Sequence, residues 1–132
     1  MNSFQGEIVG LNSDGGLSLL DVQIHSVLFN ILLIDNPETS EFLTLNRKII
    51  CMWKETEVIL SKEKPNTSIE NILKCTIENI AEDKILSKIT LLSEIGNINA
   101  IITTKSLKAM TISRKDEVFA MINPNEIMIS YD

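Results

Sequence analysis

The chain contains few of the residues that mark several protein classes. Its 132 residues include two cysteines, five glycines and three prolines, which excludes a disulfide-rich scaffold and collagenous or low-complexity segments. Cys51 and Cys75 lie in no CxxC or Cys/His pattern, so a zinc ribbon is excluded as well. His25 is the single histidine and lies at a predicted turn without a matching nucleophile. We therefore expect an exposed turn residue at this position, and no enzyme.

Long apolar runs and basic clusters are also missing. The longest apolar run, around residues 31–34, is far shorter than the roughly 20 residues that span a bilayer, and the N-terminal segment does not resemble a signal peptide. We therefore expect a cytoplasmic protein without membrane insertion. Lys and Arg number 12 against 18 Asp and Glu, a net charge of −6. This balance argues against nucleic acid as a partner, because phosphate binding depends on cationic side chains.

What the sequence does contain is a series of short apolar segments with a period of two. They cover residues 4–9, 17–24, 27–34, 49–53 and 58–60 in the first half of the chain, and turn residues such as those at 12–16 separate them. Helical spacing occurs only at residues 37–42 and 104–110. This pattern predicts an all-β fold, either a small barrel or a sandwich.

The chain also contains an internal repeat. An offset of 69 residues aligns residues 3–61 with 72–130 without a gap, and apolar positions coincide along the strands. A shift of one residue would turn the apolar face of a strand towards solvent, so this agreement is specific. The segment 62–67 is charged, contains a proline and has no periodicity, as expected of a linker. We predict a first module at 1–61, a linker at 62–67 and a second module at 68–132.

The repeat assigns a role to the cysteines and the tryptophan. Cys51 aligns with Ala120 and Cys75 aligns with Gly6, so both positions require a small residue. We expect both thiols to be buried and structural. Trp53 aligns with an isoleucine of the second module, and we expect it to anchor the core or an interface.

Several segments resemble the molbindin (Mop, or TOBE) family. Residues 98–110 resemble the family pattern A-x-I-T-x-x-S-x-x-x-L, residues 112–122 resemble L-x-x-G-D-x-V-x-A-x-I, and residues 68–74 resemble S-A-R-N-x-L-x-G. In the first module, residues 54–59 resemble the closing K-A-T/S-x-V. The resemblance implies two tandem OB-like five-stranded β-barrel modules, each with one short helix.

The same resemblance implies a function. Proteins of this family bind molybdate or tungstate, and the resemblance implies cytoplasmic storage, homeostasis or sensing of molybdenum at sites between modules or subunits. The ligand is then the oxyanion, with no metal bound directly and no organic cofactor. A homo-oligomer is implied, with a trimer favoured over a dimer.

The candidate site residues also come from the resemblance. A tetrahedral dianion only accepts hydrogen bonds, so its site must offer amides, hydroxyls and cations. The candidates are Lys54, Glu55, Thr56, Ser68, Asn71, Thr104, Ser106 and Asn123. Alternative roles are a solvated turn for the segment 54–56 and N-capping of the short helix for Thr104, Ser106 and their neighbour Thr103, and capping is favoured.

Two departures from the family pattern support an alternative function. Pro124 has no N–H to offer an anion, and Glu70 occupies the position of an arginine. The alternative is a Mop-like interaction module with a degenerate or lost anion site, partnering a transporter or a molybdenum-cofactor protein. Single-stranded nucleic acid is a third, less favoured ligand, since the six aromatic residues are scattered and no basic groove accompanies them.

Overall fold

The computed structural model describes residues 1–35, 37 and 40–131. This part of the chain contains ten strands, one α-helix and two short 3₁₀ turns. The strands are β1 (Asn2–Asp14), β2 (Leu17–Ile24), β3 (Val27–Leu33), β4 (Lys48–Trp53), β5 (Ile59–Ser61), β6 (Asn71–Glu82), β7 (Leu86–Ser93), β8 (Gly96–Thr103), β9 (Glu117–Ile122) and β10 (Met128–Ser130). Helix α1 is Thr104–Met110, and the 3₁₀ turns are Glu55–Glu57 and Pro124–Glu126.

The predicted turns between the first strands are present. Gly15 and Gly16 connect β1 to β2 with positive φ angles of 58° and 84°, as the tight hairpin turn requires. His25 connects β2 to β3, is exposed and also has a positive φ, of 51°. The prediction that His25 is an exposed turn residue is therefore confirmed.

The strands form two five-stranded sheets that exchange their last strands. The first sheet has the order β10-β4-β1-β2-β3 and the second the order β5-β9-β6-β7-β8. In the first sheet Ile129 of β10 lies opposite Cys51, and in the second Leu60 of β5 lies opposite Ala120. Each half of the chain therefore completes the sheet of the other half. The division at residues 62–67 stays a prediction about the sequence repeat, and both sheets cross it.

The repeat is reproduced in structural detail. Strand β1 shifts register between Ile8 and Gly10 against β2, and β6 does so between Ile77 and Asn79 against β7. These positions differ by the same offset of 69 residues that aligns the sequence. The two sheets therefore share even their bulges, which bend a strand and increase its twist.

The interiors of the two sheets form one continuous core. Trp53 is fully buried, and its ring stacks on Phe4 and Phe29 with centroid distances of 5.3 Å and 5.6 Å. Cys51 and Cys75 are also buried, and desolvation raises the pKa of their thiols to about 12 and about 11. The expected burial of the two thiols and the core position of Trp53 are confirmed.

Helix α1 coincides with the predicted helical segment 104–110, whereas the described part of segment 37–42 is not helical. Residues 38 and 39 lie outside the described residues, and Pro37, Glu41 and Phe42 form turns. The residue that precedes α1 is Thr103, whose hydroxyl caps the helix. The repeat places Ile34 at that position, and its side chain has no oxygen to accept a backbone N–H. Among the described residues, no helix is long and apolar enough to cross a membrane.

Candidate functional site

A cleft lies where the two halves of the chain meet. Its volume is about 470 Å³, and its walls come from the first 3₁₀ turn and β5 on one side and from β8 and α1 on the other. Three hydroxyl side chains line it, those of Thr56, Thr103 and Ser106. The remaining lining residues are aliphatic or methionine. We call this site the hydroxyl cleft.

Helix capping fixes the orientation of two of these hydroxyls. The Thr103 Oγ1 accepts the backbone N–H of Ser106 at 3.1 Å and donates its own proton to the Ser106 Oγ at 2.9 Å. The Ser106 hydroxyl therefore keeps its proton for another acceptor. The predicted capping role of Thr103 is confirmed, and the same hydrogen bonds leave a donor at the edge of the hydroxyl cleft.

Thr104, in contrast, points away from the hydroxyl cleft. Its side chain is buried, its hydroxyl donates to the Asp83 carbonyl oxygen at 2.6 Å, and the Ser87 Oγ lies 2.7 Å from the Thr104 Oγ1. These two bonds attach the start of α1 to β7 and to the turn before it. The structure thus gives Thr104 a role in positioning the helix.

Lys54 precedes the first 3₁₀ turn, and Glu55 and Thr56 lie within it. This turn packs against β8. Thr56 lines the hydroxyl cleft, and the Lys54 side chain is exposed. The Glu55 carboxylate forms an ion pair of 2.9 Å with the Met1 ammonium group. This hydrogen bond is the main cause that lowers the pKa of Glu55, and the charge of Lys88 contributes as well.

Asn71 is buried and joins the two halves. Its Oδ1 accepts the Asn30 N–H at 2.7 Å, and its Nδ2 donates to the carbonyl oxygens of Asn30 and Ile122 at 2.8 Å and 3.0 Å. The repeat-related residue Asn2 forms the same reciprocal pair with Asn99, at 2.8 Å and 2.9 Å. Both amide protons of Asn71 are therefore already bound by protein carbonyls.

The two remaining predicted residues are exposed and lie outside the hydroxyl cleft. Ser68 precedes β6, and Asn123 begins the second 3₁₀ turn, where its carbonyl oxygen accepts the Glu126 N–H at 2.9 Å. Among the predicted candidates, the structure brings Thr56 and Ser106 into one cleft, with Lys54 at the adjoining turn. The roles of all eight in binding an oxyanion stay predictions.

Lys88 is a neighbour of the cleft that the sequence did not reveal. It pairs with Ile101 across β7 and β8, and Ile101 lines the hydroxyl cleft. Paired residues of antiparallel strands point to the same face of a sheet, so the exposed Lys88 side chain shares a sheet face with Ile101. Lys88 does not itself line the cleft, but its charge acts on Glu55 of the adjoining 3₁₀ turn. In the sequence, Lys88 looks like any solvated charge on an alternating strand. Its alignment with Leu19 in the repeat is the one signal that sets it apart.

The repeat creates a second cleft with different chemistry. Its volume is about 680 Å³, and it lies between the end of β3, the second 3₁₀ turn and β10. Leu32, Ile34 and Met128 line it at the positions that Ile101, Thr103 and Ile59 occupy in the hydroxyl cleft. We call this site the apolar cleft.

A third concave surface carries two cations. Its volume is about 450 Å³, and Arg47, Lys48 and Tyr131 contribute to its lining. The Arg47 guanidinium lies 5.2 Å from the Phe42 ring centroid and donates from Nη2 to the Tyr131 carbonyl oxygen at 3.2 Å. Among the described residues, its buried Nε has no hydrogen-bond partner. Tyr131 stacks on Phe42 at 4.5 Å. Through its hydrogen bond to Tyr131, Arg47 links the segment after β10 to the start of β4 in the first sheet.

Residues 67–129 match the family model described as the TOBE domain. The match covers 63 of the 132 residues, slightly less than half of the chain. The matched region contains β6 to β9 and α1, which include the wall of the hydroxyl cleft formed by β8 and α1. The family that this region resembles consists of binding proteins, which agrees with the expectation that the chain is not an enzyme.

The whole chain is similar to the crystal structure of ModG, described as a cytoplasmic molybdate-binding protein, in a form with molybdate bound. The TM-score is 0.91 with 16% sequence identity, over 99% of this chain and 96% of ModG. No curated protein matches the sequence at a significant level. At this identity the likeness shows the fold, and it confirms the predicted all-β architecture of tandem OB-like modules.

Proposed function

We propose that this protein binds molybdate or a closely similar tetrahedral oxyanion in the hydroxyl cleft. The observation that carries the proposal is that Thr56 from one half meets Thr103 and Ser106 from the other in one cleft. The TOBE domain and the structural likeness to a molybdate-bound protein support the choice of ligand. A tetrahedral dianion needs donors from several directions, which hydroxyls on two converging elements supply.

Short-range contacts must provide the affinity. The net charge of −6 repels a dianion at long range. Hydroxyl and amide donors act at hydrogen-bond distance, and they are stronger where aliphatic neighbours exclude water. Most of the residues that line the hydroxyl cleft are aliphatic, whereas Thr56, Thr103 and Ser106 are themselves exposed.

Titration calorimetry with molybdate, tungstate and sulfate tests the proposal. Trp53 is the single tryptophan and precedes Lys54, so its fluorescence gives an independent signal. We expect T56V and S106A each to weaken molybdate binding roughly 10-fold or more, because each removes a donor to a charged ligand. T76V is the matched control, since Thr76 is an exposed threonine of β6 outside the cleft. The proposal is wrong if none of the three anions binds below roughly millimolar concentration.

We also propose a cytoplasmic role in molybdenum storage, homeostasis or sensing, carried out by a homo-oligomer in which a trimer is favoured over a dimer. The similar protein ModG is described as cytoplasmic. An exposed apolar surface on β2, β3 and the residue after β3 supports self-association, and it consists of Leu17, Leu19, Leu32 and Ile34. Light scattering with and without molybdate measures the oligomer, and a monomer in both conditions would contradict this part of the proposal.

An interaction module that has lost its anion site is the second candidate. The apolar cleft and the proline of the second 3₁₀ turn favour it, because both reduce the donors available in one half of the molecule. K54A separates the two functions. If the protein binds an oxyanion, K54A should lower its affinity for molybdate. If the protein is an interaction module, K54A should change only its contacts with another protein.

A further inference from the structure

We propose that the two repeat-related clefts have diverged, so that each chain binds one oxyanion, in the hydroxyl cleft, with Lys88 as a second cation besides Lys54. The apolar cleft binds none. This inference rests on the proposed function and adds to it the number of sites and a residue that the family pattern did not supply.

The hydrogen-bond donors differ between the clefts. At the offset of 69 residues, Thr103 corresponds to Ile34 and Ser106 corresponds to Pro37. The Thr103–Ser106 hydroxyl pair, which leaves the Ser106 proton available, therefore has no counterpart at the apolar cleft. Asn125 occupies the position of Thr56 and offers an amide, and Tyr131 adds a phenol to the lining. The apolar cleft therefore keeps two donor side chains but has no counterpart of the hydroxyl pair at the start of α1.

The charges differ in the same sense. Lys88 pairs with Ile101 beside the hydroxyl cleft, and at the related positions Leu19 pairs with Leu32 beside the apolar cleft. The lysine makes the hydroxyl cleft attractive to an anion, whereas the leucine leaves the apolar cleft without a cation at this position. Asp35 also lines the apolar cleft, and a carboxylate accepts hydrogen bonds and does not donate them.

Acidic groups near Lys88 do not cancel this difference. Glu55 is the carboxylate whose pKa responds to Lys88, and it already forms an ion pair of 2.9 Å with the Met1 ammonium group. No ion pair to Lys88 occurs among residues 1–35, 37 and 40–131. Its charge is therefore available to a ligand in the hydroxyl cleft.

The stoichiometry gives the first test. Molybdenum is measured per chain by elemental analysis after equilibrium dialysis of the full chain against molybdate, and calorimetry gives an independent number. We expect one molybdate per chain. Two per chain at similar affinity would overturn the inference and leave the proposed function intact, whereas no binding at all would overturn the proposed function itself.

Substitution of Lys88 gives the second test. K88L reproduces the leucine of the apolar cleft, and we expect it to weaken molybdate binding roughly 10-fold or more and to reduce its dependence on salt. K88R keeps the charge and should retain most of the affinity. K48L is the matched control, because Lys48 is an exposed lysine on a strand that lines the Arg47 surface.

The comparison of these variants decides between the sites. Loss of affinity in K88L, with K48L unchanged and both variants folded by circular dichroism, supports the inference. Unchanged affinity in K88L, or a larger loss in K48L than in K88L, would overturn it and place the anion at the Arg47 surface.

Discussion

Replacing Asn71 with alanine tests whether this residue holds the two halves together. Asn71 is 4% exposed and forms three hydrogen bonds, two with the Asn30 backbone and one with the Ile122 carbonyl oxygen. Removing the amide leaves these backbone groups, which are buried or partly buried, without their partner. A partner left unsatisfied costs more than the bond contributes on average.

The structure allows the size of the effect to be worked out. At about 1 kcal/mol net for each hydrogen bond, N71A should lower the free energy of unfolding by roughly 3 kcal/mol. Asn2 forms two bonds with the Asn99 backbone, so N2A should lower it by roughly 2 kcal/mol. The prediction that N71A destabilises the fold more than N2A is sharper than either value.

Urea unfolding followed by circular dichroism and Trp53 fluorescence measures both changes. The protein concentration must be the same in every sample, because any self-association adds to the apparent stability. N97A is the control: Asn97 is exposed on β8 and forms no side-chain hydrogen bond among the described residues, so its loss should lie within about 0.5 kcal/mol. A loss below about 1 kcal/mol for N71A, or a larger loss for N2A, would refute the reasoning.

Three further changes have defined outcomes. The pKa values of Cys51 and Cys75 are raised from 9.0 to about 12 and about 11, so the thiols of the unfolded chain lose their protons at lower pH than those of the folded chain. The free energy of unfolding should therefore keep its full thiol contribution below pH 9 and fall as the pH rises above 9. Urea unfolding from pH 8 to 10.5 measures this decline, which the double alanine variant should lack. G6A should destabilise the fold by about 1–3 kcal/mol, because a Cβ there would lie 2.6 Å from the Val22 side chain; an unchanged thermal midpoint would contradict this. T104V should lower stability by about 1–2 kcal/mol through its lost hydrogen bonds and leave molybdate affinity within about twofold; weaker binding at unchanged stability would instead support the ligand role predicted for Thr104.

Much of the fold could be predicted because its signals are local. The alternation of apolar and polar residues predicts β2 and β3 to within about one residue, because the side chains of a strand with one buried face alternate between core and solvent. The glycines at 15 and 16 marked the first hairpin, because its turn requires positive φ. The offset of 69 residues then predicts the corresponding strands and turns in the second half of the chain.

The candidate site was predicted less completely, because its residues come from different parts of the chain. Thr56 and Ser106 were both predicted, yet nothing in the sequence places them in the same cleft. Thr104 and Asn71 carry the right polar groups, but the fold uses those groups for its own hydrogen bonds. Lys88 was overlooked because its role depends on its pairing with Ile101.

The sequence by itself determined the strands, the turns and the twofold repeat, because each depends on the spacing of apolar side chains and on the φ angles that a few residues permit. Only the tertiary structure decided that β5 and β10 exchange sheets. Such short strands offer the same backbone donors and acceptors to either sheet, so their choice depends on how the two halves dock. That docking brings the first 3₁₀ turn against β8 and thereby brings the hydroxyls of one half to those of the other.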